Sequence, residues 1–247
     1  MNPIVLIPAR MASTRLPGKP LADIAGRPMI LHVLERAQAA GVGPVAVATA
    51  EHEIAEVVTC AGATAILTDP ALPSGSDRIW QALRGLDPAG VHDTIINLQG
   101  DLPGVDPECL RVVLRPLADE ATDIATLVAP VRDTAEAEAT SVVKVACSFA
   151  PDREDDVARA LYFSRLPIPW GAGPLWHHVG IYAYRRAALA RFVSLPESGL
   201  EKREKLEQLR ALEAGMTIGC ARIATAPFGV DTPADLARAR MAMGTAA

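Results

Sequence analysis

Apolar residues fall along the first half of the chain in short continuous runs, separated by longer stretches where they recur every third or fourth position. Ile4–Ile7, Val45–Thr49, Thr64–Thr68 and Thr94–Leu98 are the runs, nearly unbroken as strands buried on both faces must be. Between them the helical period predicts Pro28–Ala40, with Pro28 near its first turn and Gly41 as its stop, a helix around Glu51–Ala61, and Asp77–Leu86. Alternating units of this kind specify a mostly parallel sheet with helices on both faces, a Rossmann-like doubly wound α/β fold.

Past Pro107–Leu117 the pattern shifts. Ala125–Val131, Val142–Ser148, Ala160–Ser164 and Val179–Tyr184 read as strands with fewer helices between them. A mixed-strand excursion for acceptor binding or dimerisation is therefore expected over residues 125–215. Helices return at Arg186–Val193 and Glu201–Ala214, the second laced with Glu and Lys/Arg at the spacing of solvated i,i+4 pairs. A strand, Thr217–Ile223, leads to a last helix opened by Asp231-Thr232-Pro233, with Thr232 as N-cap, Pro233 at N1 and Asp235 at N3. No repeat or linker interrupts the chain, so one domain over residues 1–247 is expected.

Composition narrows the chemistry. A net charge of −5 leaves no global field for nucleic acid, and aromatics at 4% argue against base-stacking platforms. Cys60, Cys109, Cys147 and Cys220 lie far apart and fit reduced thiols packed as small hydrophobes. The N-terminus shows no signal-peptide pattern, and no apolar run approaches the ~18–20 residues of a membrane span. A cytoplasmic protein with no nucleic-acid or membrane partner is expected.

Against this acidic background the loop after the first strand stands out. The apolar run breaks at Pro8, and Arg10, Arg15 and Lys19 follow with Ser13, Thr14 and Gly18 among them. Cations and hydrogen-bond donors at the end of a buried strand suit a polyanion such as a triphosphate; the plainer alternative is a basic surface loop. Ligands of open α/β sheets bind beyond the carboxyl ends of the strands. Two more polar clusters fall there, Asn97-Leu98-Gln99-Gly100-Asp101 and Gly229-Val230-Asp231. Asp101 and Asp231 suit a phosphate-bound Mg²⁺, which takes one or two protein carboxylates. They also fit a turn residue and a helix cap. Other phosphate motifs fail: there is no GxGxxG after the first strand, and Gly18-Lys19 is followed by Pro20, not by the hydroxyl of a P-loop. His177 and His178 are adjacent in a strand and face opposite sides, so at most one can enter a site.

These residues carry a resemblance. The run from Ile7 to Leu21, with Pro73-Ser74-Gly75-Ser76-Asp77-Arg78, Leu98-Gln99-Gly100-Asp101, Ala160-Leu161-Tyr162-Phe163-Ser164-Arg165, His178-Val179-Gly180-Ile181-Tyr182-Ala183-Tyr184, Leu206-Glu207-Gln208-Leu209-Arg210 and Gly229-Val230-Asp231-Thr232-Pro233, resembles the 3-deoxy-manno-octulosonate (Kdo) cytidylyltransferases, or CMP-Kdo synthetases. The resemblance implies transfer of CMP from CTP to the anomeric hydroxyl of Kdo, for lipopolysaccharide biosynthesis, by a Mg²⁺-dependent homodimer. It implies that Ala9, Arg10, Ser13, Thr14, Arg15, Lys19, Ser74, Gly75, Arg78 and Gln99 bind CTP, and that Arg10, Lys19, Asp101 and Asp231 are catalytic. Asp101 and Asp231 would hold the metal. Gln99, Arg165, His178, Tyr182 and Glu207 would contact Kdo. For His178 and Tyr182 the other reading is strand packing, and for Glu207 a solvated helix charge. Leu102, Ala50 and Leu72 depart from the family pattern, where a glutamate, an aspartate and a histidine are frequent, and the segment between Trp170 and His177 is short. The alternatives are another acceptor (a sialic-type acid or an amino-Kdo analogue) or a nucleotide-sensing protein without catalysis.

Overall fold

Central to the first part of the chain is β1 (Pro3–Ala9), which leads through the basic loop and a 3-10 turn at Lys19–Leu21 into a short hairpin, β2 (Asp23–Ile24) and β3 (Arg27–Pro28). Then come α1 (Met29–Ala39), β4 (Val45–Thr49), α2 (His52–Cys60), β5 (Thr64–Leu67), α3 (Gly75–Leu86) and β6 (Thr94–Asn97). After α4 (Glu108–Val112) and a second 3-10 turn at Arg115–Ala118 the chain continues with β7 (Ile124–Pro130), α5 (Thr134–Glu138), β8 (Lys144–Ala146), β9 (Val157–Arg159), β10 (Tyr162–Ser164) and β11 (Trp176–Arg185). It ends with α6 (Arg186–Ser194), α7 (Gly199–Glu204), α8 (Gln208–Glu213), β12 (Ile218–Arg222) and α9 (Pro233–Gly244). This is a computed structural model that describes residues 1–150 and 157–244.

The chain divides into two compact units. The first holds Met1–Leu110 and the segment from Pro227 onward. Its strands run in the order β5-β4-β1-β6, all parallel, so the direction of winding reverses at β1. Loops that leave β1 and β6 thus meet at the switch point where such sheets bind ligands. Val5, Leu6, Ile7, Val47, Ile95 and Ile96 are fully buried in this sheet, as the continuous apolar runs require.

Pro8 does not end the first strand. The β1–β6 ladder stops at Leu6 opposite Asn97, and the Leu98 N–H closes onto the Leu6 carbonyl. Pro8 points its ring nitrogen toward that same side, where no ladder acceptor remains, so β1 continues through Ala9 against β4. Pro28 lies just before α1 and not in its first turn, because Arg27–Pro28 belongs to the hairpin. The tight turn of that hairpin puts Ala25 and Gly26 at φ 51° and 78°. α3 opens two residues earlier than the apolar period indicates, since Ser74 caps it through Ser76 and Asp77 N–H. Pro107–Leu117 splits into α4 and a 3-10 turn because Pro116 cannot donate within a continuous helix.

The second unit, Arg111–Ala226, carries a mixed sheet. β7 pairs antiparallel with β11 and parallel with β12; β12 pairs antiparallel with β9, and β8 lies antiparallel to both β10 and β11. The expected helix Glu201–Ala214 is two helices. Lys205 sits in the left-handed region at φ 56° and turns the chain, which buries Leu206 and Leu209. Nor are its charges simply solvated. Glu201 is buried, caps α7 reciprocally with Ser198, and receives two bonds from Arg210 at 2.6 and 2.8 Å. Burial works against the Glu201 charge, but the Arg210 and Ser198 bonds outweigh it and hold its pKa below the usual carboxylate value.

Candidate active site

A cleft of about 370 Å³ opens in the first unit beyond the carboxyl ends of β1 and β6. Ala9, Arg10, Ser13, Thr14, Arg15, Lys19, Ser74, Gly75, Arg78, Gln99, Asp101 and Asp231 all line it, so the nucleotide and metal residues expected in this unit come together. The basic loop is mostly exposed but anchored by Leu16, which packs with Ile24, Met29, Val230, Leu236 and Ala239. Gly18, at φ 69°, adopts the left-handed conformation that turns the loop into the 3-10 segment carrying Lys19. Opposite, Gly100 passes so close to β1 that an added Cβ would stand 3.1 Å from the Pro8 carbonyl. That contact sets the turn which presents Asp101.

Lys19 bridges the two carboxylates. Its ammonium lies 2.7 Å from Asp101 Oδ2 and 3.1 Å from Asp231 Oδ1, while Arg15 approaches Asp231 Oδ1 at 3.2 Å. Burial disfavours the Lys19 charge, yet Asp101 and then Asp231 outweigh it and raise its pKa above the ordinary lysine value. Asp231 is not the helix cap. Thr232 caps α9, with its hydroxyl accepting from Asp235 N–H and the Asp235 carboxylate accepting from Thr232 N–H. The Val230 N–H bonds to the Asp101 carbonyl at 2.9 Å, so the two aspartates are tied through the backbone as well as through Lys19.

Arg78 reaches the cleft from the first turn of α3 and is buried, with one guanidinium N–H donated to Thr68 Oγ1. Burial pulls its pKa down, against the nearby Glu51 carboxylate. The positive end of α3 opens on the same cleft through Ser74 and Gly75, a favourable place for an anionic group. Four cations therefore face two carboxylates, an arrangement that suits a polyphosphate.

Of the expected sugar contacts, Gln99 lines the cleft of the first unit, while Arg165, His178, Tyr182 and Glu207 lie in the second. β11 holds His178 and Tyr182, and its register against β7 jumps from Val179–Leu127 to Tyr182–Thr126. This bulge places residues four apart in sequence at neighbouring positions on one face, with ring centroids 5.5 Å apart. Thr126 directs its hydroxyl proton to the bulge carbonyls of Val179 and Ile181 and accepts from His178 Nε2 at 3.1 Å. Burial, reinforced by His177, pushes the His178 pKa down to about 3, so the ring is neutral. Tyr182 is pushed well up by burial, Tyr184 and Glu207 and keeps its phenol proton. Glu207 is half-buried at the start of α8, 3.8 Å from Arg210. Arg165 follows β10, and its guanidinium donates to the carbonyls of Thr140, Glu204 and Lys205 at 3.0, 2.8 and 3.2 Å.

Known proteins match this arrangement along its whole length. A family model described as cytidylyltransferase matches residues 4–218. The 3-deoxy-manno-octulosonate cytidylyltransferases of Rhodospirillum centenum and Parvibaculum lavamentivorans are 59% and 60% identical, covering 97% and 98% of this chain and 92% and 93% of their own. The chain belongs to the 3-deoxy-manno-octulosonate cytidylyltransferase family. It is also similar to a solved CMP:2-keto-3-deoxy-manno-octonic acid synthetase complexed with CTP, at 41% identity over 100% of both chains and a TM-score of 0.90.

Seen within this family, the departures are local. Leu102 is buried, and an added Cβ on Gly229 would stand 3.7 Å from its side chain, so it packs under the Asp231 loop. Leu72 lines the cleft with its neighbour Pro73. Glu51, beside Ala50, was not among the expected site residues. Its carboxylate accepts from Met11 N–H at 3.1 Å and from Thr49 Oγ1 at 2.9 Å, pinning the start of the basic loop to the end of β4. The one available signal was an acidic residue directly after a strand end.

Proposed function

We infer that this chain transfers CMP from CTP to Kdo, giving CMP-Kdo and pyrophosphate for lipopolysaccharide biosynthesis. The observation that carries the reading is the Asp101–Lys19–Asp231 bridge at the mouth of a cleft lined by Arg10, Arg15 and Arg78. Arg10, Lys19 and Arg78 bind the triphosphate, with Ser13, Thr14, Ser74 and the α3 N-terminus supplying further donors. Arg165, His178, Tyr182 and Glu207 take the acidic sugar.

The donor set fits a divalent cation. Two aspartate carboxylates converge on one cationic centre, and Mg²⁺ is commonly held by one or two carboxylates plus substrate phosphate. Among the described residues no group of three or more His, Cys, Asp or Glu is assembled for a metal, so Asp101 and Asp231 are the protein groups that would hold it. When bound by Asp101 and Asp231, Mg²⁺ supplies Lewis-acid polarisation of the α-phosphate. The C2 hydroxyl oxygen of Kdo bonds to the α-phosphorus, the bond to the bridging oxygen of pyrophosphate breaks, and the hydroxyl proton passes to solvent. Arg10 and Lys19 stabilise the charge that builds on the leaving group. Protonated Tyr182 presents a hydrogen-bond donor, and neutral His178, with its Nε2 proton committed to Thr126, an Nδ1 acceptor. Neither adds charge, leaving Arg165 as the partner of the sugar carboxylate.

A homodimer in the cytoplasm belongs to the same reading. Exposed Leu166 and Trp170 are apolar surface that self-association would cover, and no described helix is long and apolar enough to cross a membrane. Pyrophosphate release with CTP and a panel of acids (Kdo, a sialic-type acid, an amino-Kdo analogue) tests the activity and the acceptor together. Kdo is expected to turn over fastest. Asp101→Asn and Asp231→Asn should each lose turnover at least a hundredfold while circular dichroism stays unchanged. Turnover at the unsubstituted rate in both variants would refute the assignment.

A further inference from the structure

Lys144 is among the largest fully buried side chains described in the protein, and it is charged. Its ammonium donates to three main-chain carbonyls, Ala139 at 3.0 Å, Val142 at 2.7 Å and Arg165 at 2.6 Å. An ammonium has three protons, so its donor capacity is met. Among the described residues no carboxylate forms an ion pair with it. Burial and the charge of Arg165 lower its pKa from the ordinary lysine value. Burying an unpaired ammonium is costly, and the same carbonyls could be satisfied by neutral groups or water. The position therefore calls for a reason beyond packing.

That reason lies in what Lys144 joins. In the ladders of β8 it stands opposite Ser164 of β10 and His177 of β11. The residues that follow those two partners are Arg165 and His178. The His178 N–H is held by the carbonyl of Val143, at 2.8 Å, while the Lys144 ammonium holds the carbonyl of Arg165. Arg165 in turn donates to Thr140, in the loop that Lys144 clamps from inside, and to Glu204 and Lys205 at the break between α7 and α8. Its main-chain N–H bonds to Glu204 Oε2 at 3.1 Å. Three of the five guanidinium N–H groups are engaged in these bonds, which leaves two.

We propose that Lys144 is a positioning residue for recognition of the acidic sugar: its buried ammonium fixes the turn that carries Arg165, across β8 from His178. It also places a second positive charge near the guanidinium, which adds to the pull on a carboxylate. This inference rests on the reading of Arg165 as the carboxylate partner. Lys144 touches no substrate and acts only through Arg165.

Lys144→Met keeps the stem and removes the charge; Lys144→Gln keeps two donors without it. Both are compared with Arg165→Gln and with the double variant Lys144→Met/Arg165→Gln, in steady-state assays of pyrophosphate release and with near-ultraviolet dichroism reporting the aromatic packing of the second unit. Lys144→Met should raise the KM for Kdo at least tenfold, with kcat and the KM for CTP within about threefold of the unsubstituted enzyme. The double variant should be no worse than Arg165→Gln in its KM for Kdo, because a residue that acts through another adds nothing once that partner is gone. If Arg165→Gln raises the KM for Kdo and the Lys144 variants do not, this inference falls while the reading of Arg165 stands. If Arg165→Gln leaves that KM unchanged, both fall. Additive losses, equal losses toward CTP and Kdo, or failure of both Lys144 variants to fold would make Lys144 a structural residue and overturn the proposal.

Discussion

Replacing Lys19 by methionine should move metal and nucleotide affinity in opposite directions. The ammonium lies 2.7 and 3.1 Å from two carboxylates, with Lys19 17%, Asp101 29% and Asp231 45% exposed. A hydrogen bond to a charged partner contributes about 1.5–3 kcal/mol when sheltered, and solvent screening reduces that most at Asp231. A net of about 2 kcal/mol for the ammonium on the pair follows from those two figures. Any divalent ion that uses the same carboxylates must first displace that ammonium. Without it the carboxylates repel each other and the competition vanishes. At 1.4 kcal/mol per decade, the nucleotide-free Lys19→Met protein should bind Mn²⁺ about thirtyfold more tightly than the unsubstituted protein. Its affinity for CTP should fall, because one phosphate cation is lost. Titration calorimetry with Mn²⁺ in the absence of nucleotide, followed by CTP alone, measures both. Unchanged or weaker Mn²⁺ binding by Lys19→Met would refute the view that Lys19 occupies the place of a cation.

Two further outcomes follow from buried groups in the second unit. Glu201→Gln breaks a buried ion pair from one side, at a cost of about 3 kcal/mol that should lower the melting temperature by about 6–12 °C in a chain of this size. Because the folded-state pKa of Glu201 lies below its unfolded value of 4.5, its stabilisation is present above that pH and fades as pH falls further. Glu201→Gln should therefore flatten the acid limb of the stability profile, and an unchanged limb would count against the pairing. His178, with a pKa of about 3, should show no imidazole titration by NMR between pH 5 and 8; a midpoint near 6.5 would mean that the ring is not enclosed by Thr126, Phe163 and Tyr182 as described.

How much of this was legible in the chain depends on which physical effect dominated each segment. Strand-helix alternation through residue 97 was readable because two-sided burial leaves an unmistakable apolar run, and Val45–Thr49 fell where the pattern put it. A similar contrast exposed the basic loop and the two aspartates, because charge set close behind a buried run breaks the apolar pattern abruptly. Elements shaped by a single backbone angle were not legible. Lys205 divides one apparent helix in two, and nothing in its side chain announces a left-handed residue. The bulge in β11 was equally hidden, although Gly180 lies within it, because it depends on Thr126 from another strand. Glu201 and Arg210 looked like surface charges at helical spacing, and only the turn between their helices brings them into one buried pair. Lys144 was passed over inside a strand pattern, for its partners are carbonyls that no sequence shows.

Lys19 and Asp231 stand 212 positions apart, and the core beneath the basic loop draws Leu16, Ile24 and Met29 from one end of the chain and Val230, Leu236 and Ala239 from the other. Synthesis on the ribosome proceeds from the first of these ends, so nearly the whole polypeptide is made before the second carboxylate exists. A prematurely terminated product carries the basic loop and Asp101 but lacks Val230, Leu236 and Ala239 of the apolar floor under that loop, and Asp231, the second partner of Lys19. On the proposed reading, such fragments have cations for a nucleotide but only one of the two carboxylates that would hold the metal. The order of the sequence would then work as a completeness check, withholding the second carboxylate from every chain that stops short of Asp231.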